Sequence, residues 1–379
     1  MSCYGTAQLF ELDDLSPQQV LRRIENAVLE LLRNGSIRFS GPNPAPNARV
    51  FINGAVRIFR SERILKLPSR IVANVLIVLN YSHRVLSERK TLTIREMYYR
   101  NKTMKESDIG FKNEAQCYRT IILCTHILGV TRSSLGLVTS PKGLMAGTSD
   151  ASLSIVQPIP SFQDISELQH IFDSISSRKP MPTFLLIVEK HTILHRLVQS
   201  SFFRIFPCVA LTGKGFPDLH TRRFAHFVQS YFNFPTFGLC DLNPHGFSLI
   251  STFEFGSLRF AGESYRYCVP NIQILGLSVS DARYYEELCK EFGITSKFSQ
   301  CTKADVLCLS GLKNNVAFQK HSNLLREIHI FEQEGIKLDL DAFEDFGDGF
   351  LFEEFIARKI FQLMHPEVYP QESQCLHSC

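Results

Sequence analysis

Three short apolar runs constrain the second half of this chain more than any other feature: FLLIV at 184–188, CVAL at 208–211 and TFGLC at 236–240. Each is too short for a buried helix. The first leads into a helical pattern through Ile193, Leu194 and Leu197, and the second into Thr212-Gly213-Lys214-Gly215 and a helix opened by Pro217-Asp218. Successive strand–helix units predict a parallel sheet with helices on its faces. Such sheets bind ligands outside the carboxyl ends of their strands. Glu189 directly follows the first run and Asp241 the third, so both carboxylates are expected in one crevice. Asn243 adds an amide oxygen, and Asp241-Leu242-Asn243-Pro244-His245-Gly246 reads as a turn rather than a helix interior. Oxygen donors around an open site suit Mg²⁺, which keeps waters and completes its shell with substrate phosphate. A lone strand-end Glu is ordinarily a cap or a surface acid; two acids at equivalent strand ends make the metal reading the better one.

The first half reads as helical. Ser16-Pro17 is an N-cap followed by a first-turn proline, Val20, Leu21, Ile24, Ala27, Val28, Leu31 and Leu32 recur at helical spacing, and Asn34-Gly35 ends the run. An irregular stretch from Gly41 to Asn47 follows, so this helix within residues 1–48 is a candidate for docking on a partner or for packing on its own chain. A second helix is expected from Pro68 to Val85. A third starts at Thr93, with Glu96 at capping-box spacing, and carries Arg95, Met97, Tyr98 and Tyr99. A fourth runs from about Asn113 to Leu128, and Leu135 to Gly147 suggests a short hairpin. Three helices and a hairpin within residues 49–148 are the order of a winged helix-turn-helix, which sets a helix in a DNA groove. Residues 149–180 read as a Pro/Ser-rich linker, and 181–379 as the parallel-sheet domain with an acidic C-terminal region.

Charge follows the same division. The net formal charge is only +4, yet residues 49–142 hold 17 Lys and Arg against 6 Asp and Glu, while 320–372 hold 5 against 12. The basic block suits a polyanion or a solvated face equally well; the acidic one is expected to face away from DNA. The opening MSCYGTAQLFELDD has no apolar core of a signal peptide, and no run approaches a membrane span, so an intracellular protein with reduced thiols is expected. Cys375 and Cys379 read as part of a frayed tail. His191 and His195 have metal spacing without a third ligand, and no dinucleotide or Walker A fingerprint occurs. A tyrosine hydroxyl can attack a phosphodiester and keep the bond energy in a phosphotyrosine, provided cations offset the developing charge. Arg95 stands four residues before Tyr99; taken alone, a Tyr-Tyr pair more often packs a core.

These segments together resemble a known family, the meiotic DNA double-strand-break transesterases, eukaryotic relatives of the topoisomerase VI A protein. The resemblance runs from about Pro68 to Ala342. It rests on Thr93-Ile94-Arg95-Glu96-Met97-Tyr98-Tyr99, Ser140-Pro141-Lys142-Gly143-Leu144-Met145-Ala146-Gly147, Val188-Glu189-Lys190, Thr212-Gly213-Lys214-Gly215-Phe216-Pro217-Asp218 with Thr221-Arg222, and Asp241-Leu242-Asn243-Pro244-His245-Gly246. It implies a winged-helix (5Y-CAP-like) domain followed by a Toprim domain. It further implies Tyr99 as nucleophile supported by Arg95, Glu189 as a further catalytic residue, Mg²⁺ on Glu189, Asp241 and Asn243, and DNA contacts from Lys142, Gly143, Lys214 and Arg222. By the same resemblance the protein is nuclear and works as a homodimer on double-stranded DNA. The tyrosine of one protomer faces the metal site of its partner, each protomer stays joined to a 5′ phosphate, and a topoisomerase VI B-like partner docks at the N-terminal helix.

Two departures stand out. The family's Asp-x-Asp pair appears as Asp241-Leu242-Asn243, where an amide brings an oxygen but no charge, so weaker metal binding is expected. Its C-terminal Lys-x-Glu motif appears as Lys337-Leu338-Asp339. Three functions therefore compete: a meiotic break-forming enzyme, the DNA-cleaving component of a type IIB topoisomerase working with an ATP-hydrolysing B-type protein, and a non-cleaving DNA-binding scaffold paralogue.

Overall fold

The computed structural model describes residues 8–67, 70–102, 110–138, 141–147, 155–162, 165–257, 260–320, 322–347 and 349–364. They divide into two units, one within 1–141 plus 255–268 and the other within 142–254 plus 269–379.

In the first unit α1 (Pro17–Asn34) begins where Ser16 N–H donates to Gln19 Oε1 at 3.0 Å. It ends at Gly35, whose φ of 62° lets its N–H reach Leu31 O. Its face of Val20, Ile24, Ala27 and Leu31 is buried in one core with α2 (Arg70–Ser87), α3 (Ile94–Lys102) and α4 (Glu114–Leu128). The helix is thus an integral part of this unit rather than a separate arm, although Leu29 and Leu32 on its other side stay exposed. Between α1 and α2, β1 (Ser36–Pro42) pairs antiparallel with β4 (Arg60–Lys66), and β2 (Arg49–Ile52) with β3 (Ala55–Ile58). The β2–β3 turn is Asn53-Gly54, with φ of 52° and 75°, the double left-handed conformation that tight hairpins favour. This hairpin is absent from the sequence reading. Among the described residues the one expected at Leu135–Gly147 does not form. Instead β6 (Leu137–Val138) pairs with β5 (Leu92–Thr93), and β7 (Leu144–Ala146) enters the sheet of the second unit.

That sheet has six strands in the order β12-β11-β9-β10-β7-β8. Its parallel centre is β9 (Phe184–Val188), β10 (Cys208–Thr212), β11 (Thr236–Leu239) and β12 (Ile272–Gly276); β7 joins β10 antiparallel, and β8 (Gln157–Pro158) joins β7. β9 and β10 are buried along their whole length, which is why they read as continuous apolar runs. The expected linker is partly structured: β8 and α5 (Gln169–Ser177) lie in it, and Phe162, Leu168, Phe172 and Ile175 fill the core beneath the sheet. The helices α6 (His191–Gln199), α7 (Phe202–Ile205), α8 (Leu219–Phe232) and α9 (Pro244–Glu254) connect the strands.

After α9 the chain returns to the first unit. There Val56 N–H bonds Phe255 O, and the segment carries α10 (Ala261–Ser264), whose Glu263 is buried against Arg132. No sequence signal marked this excursion. Past β12 come α11 (Val279–Phe292), β13 (Ser299–Gln300), α12 (Lys303–Lys313), α13 (Ser322–Glu334), β14 (Ile336–Lys337) and α14 (Ala357–Met364). Tyr285, Phe343 and Phe355 pack together here. Cys375 and Cys379 lie outside the described residues. None of the described helices is long and apolar enough to cross a membrane.

Candidate active site

The site residues fall in both units. In the first, Glu96 N–H donates to Thr93 Oγ1 at 3.1 Å, which starts α3 at Ile94. Helical geometry then turns adjacent tyrosines to different sides. Tyr98 is 8% exposed and belongs to the core, whereas Tyr99 is 49% exposed. Arg95, one turn before Tyr99, makes a 3.5 Å contact from Nε to Glu114 Oε1 on α4. Lys102, one turn after it, holds its Nζ 5.9 Å from the centre of the Tyr99 ring. The exposed phenol therefore sits between two cations on one helix face. Lys102 was missed in the sequence, although its i+3 spacing from Tyr99 was visible there.

In the second unit the two strand-end acids meet across 52 residues of chain: Asp241 N–H donates to Glu189 Oε2 at 3.1 Å. Burial, and then the Asp241 carboxylate, push Glu189 up to about 7. Burial raises Asp241 as well, against the Leu340 N–H that bonds its Oδ1 at 2.9 Å and the Lys190 ammonium 2.8 Å from its Oδ2. Lys190 also lies 2.9 Å from Asp341 and 3.9 Å from Asp339. Burial works to lower Lys190, but Asp241 and Asp341 more than offset it and hold the ammonium above its usual range. The acid-rich C-terminal region thus lends two carboxylates to the site.

The turn at Asp241 is shorter than expected, because Pro244 already opens α9. Asn243 Oδ1 accepts the Gly246 N–H at 2.8 Å, so the amide caps that helix with one lone pair and keeps the other. Among the described residues no three His, Cys, Asp or Glu side chains gather into a metal cage. Two adjacent carboxylates and an amide oxygen fit instead a hard divalent ion that completes its shell with water and phosphate. Glu189, drawn up by burial and then by its neighbour's charge, is the kind of group such an ion stabilises. His191 and His195, with ring centres 6.3 Å apart, are not part of this cluster.

The loop after β10 wraps the backbone of Glu189. Thr212 Oγ1 and Gly215 N–H both donate to Glu189 O, at 3.0 and 3.1 Å. Asp218 caps α8 by accepting the Thr221 N–H and also accepts the Lys142 N–H. Lys142 Nζ reaches Lys214 O at 3.5 Å, so these two exposed lysines share one rim. Arg222 is only 2% exposed and Gly143 is buried, so neither offers a direct DNA contact. Gly143 is needed for packing, because a Cβ there would overlap Thr221 Oγ1 and Ile159 Cδ1.

Comparison with known proteins agrees with this layout. Residues 70–137 match the family model described as type IIB DNA topoisomerase, and residues 184–360 match the model of the Toprim domain common to Spo11 and the A component of topoisomerase 6. The first unit is thus the N-terminal winged-helix domain of that class, and the six-stranded sheet is a Toprim domain, a fold that binds divalent metal. Meiotic recombination protein SPO11-2 of Arabidopsis thaliana is 28% identical over 96% of this chain and 97% of its own length. SPO11-4 of Oryza sativa subsp. japonica is 30% identical over 77% of this chain and 58% of its own. The A component of DNA topoisomerase 6 from Arabidopsis thaliana is 24% identical over 90% of this chain and 80% of its own. Two domain models matched in order, and relatives aligned along nearly the whole chain, place this protein in the Spo11/topoisomerase VI A family of DNA-cleaving transesterases.

Proposed function

We propose that this chain makes the DNA double-strand breaks that initiate meiotic recombination, with Tyr99 as nucleophile. The contrast between exposed Tyr99 and buried Tyr98 on α3 carries the assignment. Tyr99 Oη attacks a backbone phosphorus, the new P–O bond forms as the P–O3′ bond breaks, and the phenolic proton leaves so that the 3′ oxygen departs as a hydroxyl. The product is a 5′-phosphotyrosyl link. Arg95 and Lys102 flank the phenol and offset the charge that develops on the phosphoryl oxygens. Glu189, Asp241 and Asn243 would hold Mg²⁺, which when bound would supply Lewis-acid stabilisation of that same charge. Lys190 keeps the Asp241 carboxylate oriented by its ion pair. Lys142 and Lys214 grip phosphates at the rim.

The active form is a homodimer in the nucleus, with the tyrosine of one protomer serving the metal site of its partner and a topoisomerase VI B-like protein on the outer side of α1. Full-length similarity to a meiotic recombination protein supports the meiotic role. Similarity to the A component of a topoisomerase 6 supports a second reading, strand passage with an ATP-hydrolysing B-type protein. Decatenation on adding ATP with such a protein would favour that second reading. The test of the first is recovery of DNA bound to denatured protein. Tyr99→Phe should abolish the adduct and Tyr98→Phe should keep it; the reverse pattern sinks the assignment.

A further inference from the structure

A cavity of about 470 Å³ opens in the first unit where the N-terminal turns of α2 and α4 approach each other. Its charged lining is wholly basic, from Arg70, Lys112 and Arg119, with Ile71 and Leu123 as apolar wall. The first turn of α4 enters it at Asn113, whose Oδ1 accepts the Gln116 N–H at 2.9 Å; Gln116 Oε1 in turn accepts the Lys112 N–H at 2.7 Å. That exchange holds Lys112 at the positive end of a 15-residue helix, where anions are favoured.

A second, independent feature points to a ligand. Asn74 of α2 lines the same cavity, is only 2% exposed, and its Oδ1 is buried with no hydrogen-bond partner. A buried amide oxygen without a donor is destabilising. Oδ1 is the closed-off atom of the amide, so Nδ2, which engages no acceptor among the described residues, is the group Asn74 offers to the cavity. The lining then offers a hydrogen-bond donor and full positive charges beside an apolar wall, the recognition chemistry of a phosphate group.

We infer that this cavity seats a backbone phosphate of the DNA strand beside the cut, and so positions the strand for Tyr99. The link to the nucleophile is direct in sequence and contact: Glu114 follows Asn113 and pairs with Arg95, one turn from Tyr99 on α3. The inference rests on the DNA-cleavage reading above and adds Arg70, Lys112, Arg119 and Asn74 as strand-positioning residues for that reaction.

The test uses the full chain and a fluorescein-labelled duplex, with affinity followed as salt is raised. Lys112→Gln combined with Arg119→Gln should weaken binding about tenfold near physiological salt and reduce the slope of log K against log salt by about 1. Asn74→Asp, which puts a carboxylate in the cavity, should weaken binding at least as much. Thermal unfolding checks that each variant is folded, and Arg70→Gln substitutes for any that is not. Unchanged affinity and slope, while the unaltered protein binds duplex and forms its adduct, overturn this inference alone. A thermal shift of the unaltered protein by inorganic phosphate, lost in the double variant with DNA binding intact, makes the cavity a free-phosphate site and also overturns it. If the unaltered protein binds no duplex at all, the DNA-cleavage reading falls with it.

Discussion

Glu254, the last residue of α9, makes the stability of the second unit depend on pH in a direction opposite to that of most carboxylates. Its side chain is 3% exposed, and Oε2 is buried with no hydrogen-bond partner. Burial pushes the carboxyl up to about 8, and the backbone N–H groups of Ile272 and Asn271 only partly counter it. The folded state therefore binds a proton that the unfolded state has released, throughout the range between the ordinary carboxylate value of about 4.3 and about 8. With more protons on the folded form, stability falls as pH rises through that window and is fully retained only below it. At about 1.4 kcal/mol per pH unit, the loss reaches about 2 kcal/mol at pH 6 and about 5 kcal/mol at pH 8. Glu254→Gln removes the titration while keeping an acceptor for the two N–H groups. Urea unfolding from pH 5 to 8.5 should show variant and parent alike at the acid end, with the variant gaining steadily as pH rises. A constant difference across that range would refute the argument, because a packing effect does not titrate.

Lys190→Met should lower the stability of the metal-free protein by about 2 kcal/mol, less than a fully buried pair would lose because Lys190 is 28% exposed. Mg²⁺ should then raise the unfolding temperature of this variant more than that of the parent, as read by scanning calorimetry. Ile24→Ala, which empties a site in the core shared by α1 and α2, should cost about 3 kcal/mol in chemical unfolding. An exposed, separately docked helix would show almost no change. Gly143→Ala should cost about 1–3 kcal/mol by crowding Thr221, and it should weaken duplex binding by displacing Lys142.

Features written in local chemistry were readable in advance. α1 runs from the Ser16-Pro17 start to the Asn34-Gly35 stop, and α4 is capped at Asn113, because caps and periodicity act within a turn or two of chain. The carboxylates at 189 and 241 could be placed together because parallel strands align their ends. The hairpin at 135–147 failed for the opposite reason: two- and three-residue strands carry too little pattern to say which distant strand they pair with. The Asn53-Gly54 turn was there to be read, since that dipeptide favours tight hairpins, but no element was expected between Asn47 and Pro68.

By itself, then, the sequence determined the type of each half, the helix boundaries, and a short set of chemically capable residues. Which of those residues reach solvent was decided by packing. Adjacent tyrosines have the same chemistry, and only the core around α3 buries one and exposes the other. Arg222 and Gly143 sit in motifs that resemble DNA contacts, yet burial removes them from the surface. Asp339 and Asp341 lie far from Lys190 in the chain, and only the fold sets them against it. Burial and long-range electrostatics sum over neighbours far apart in the chain, so no local window of sequence contains them.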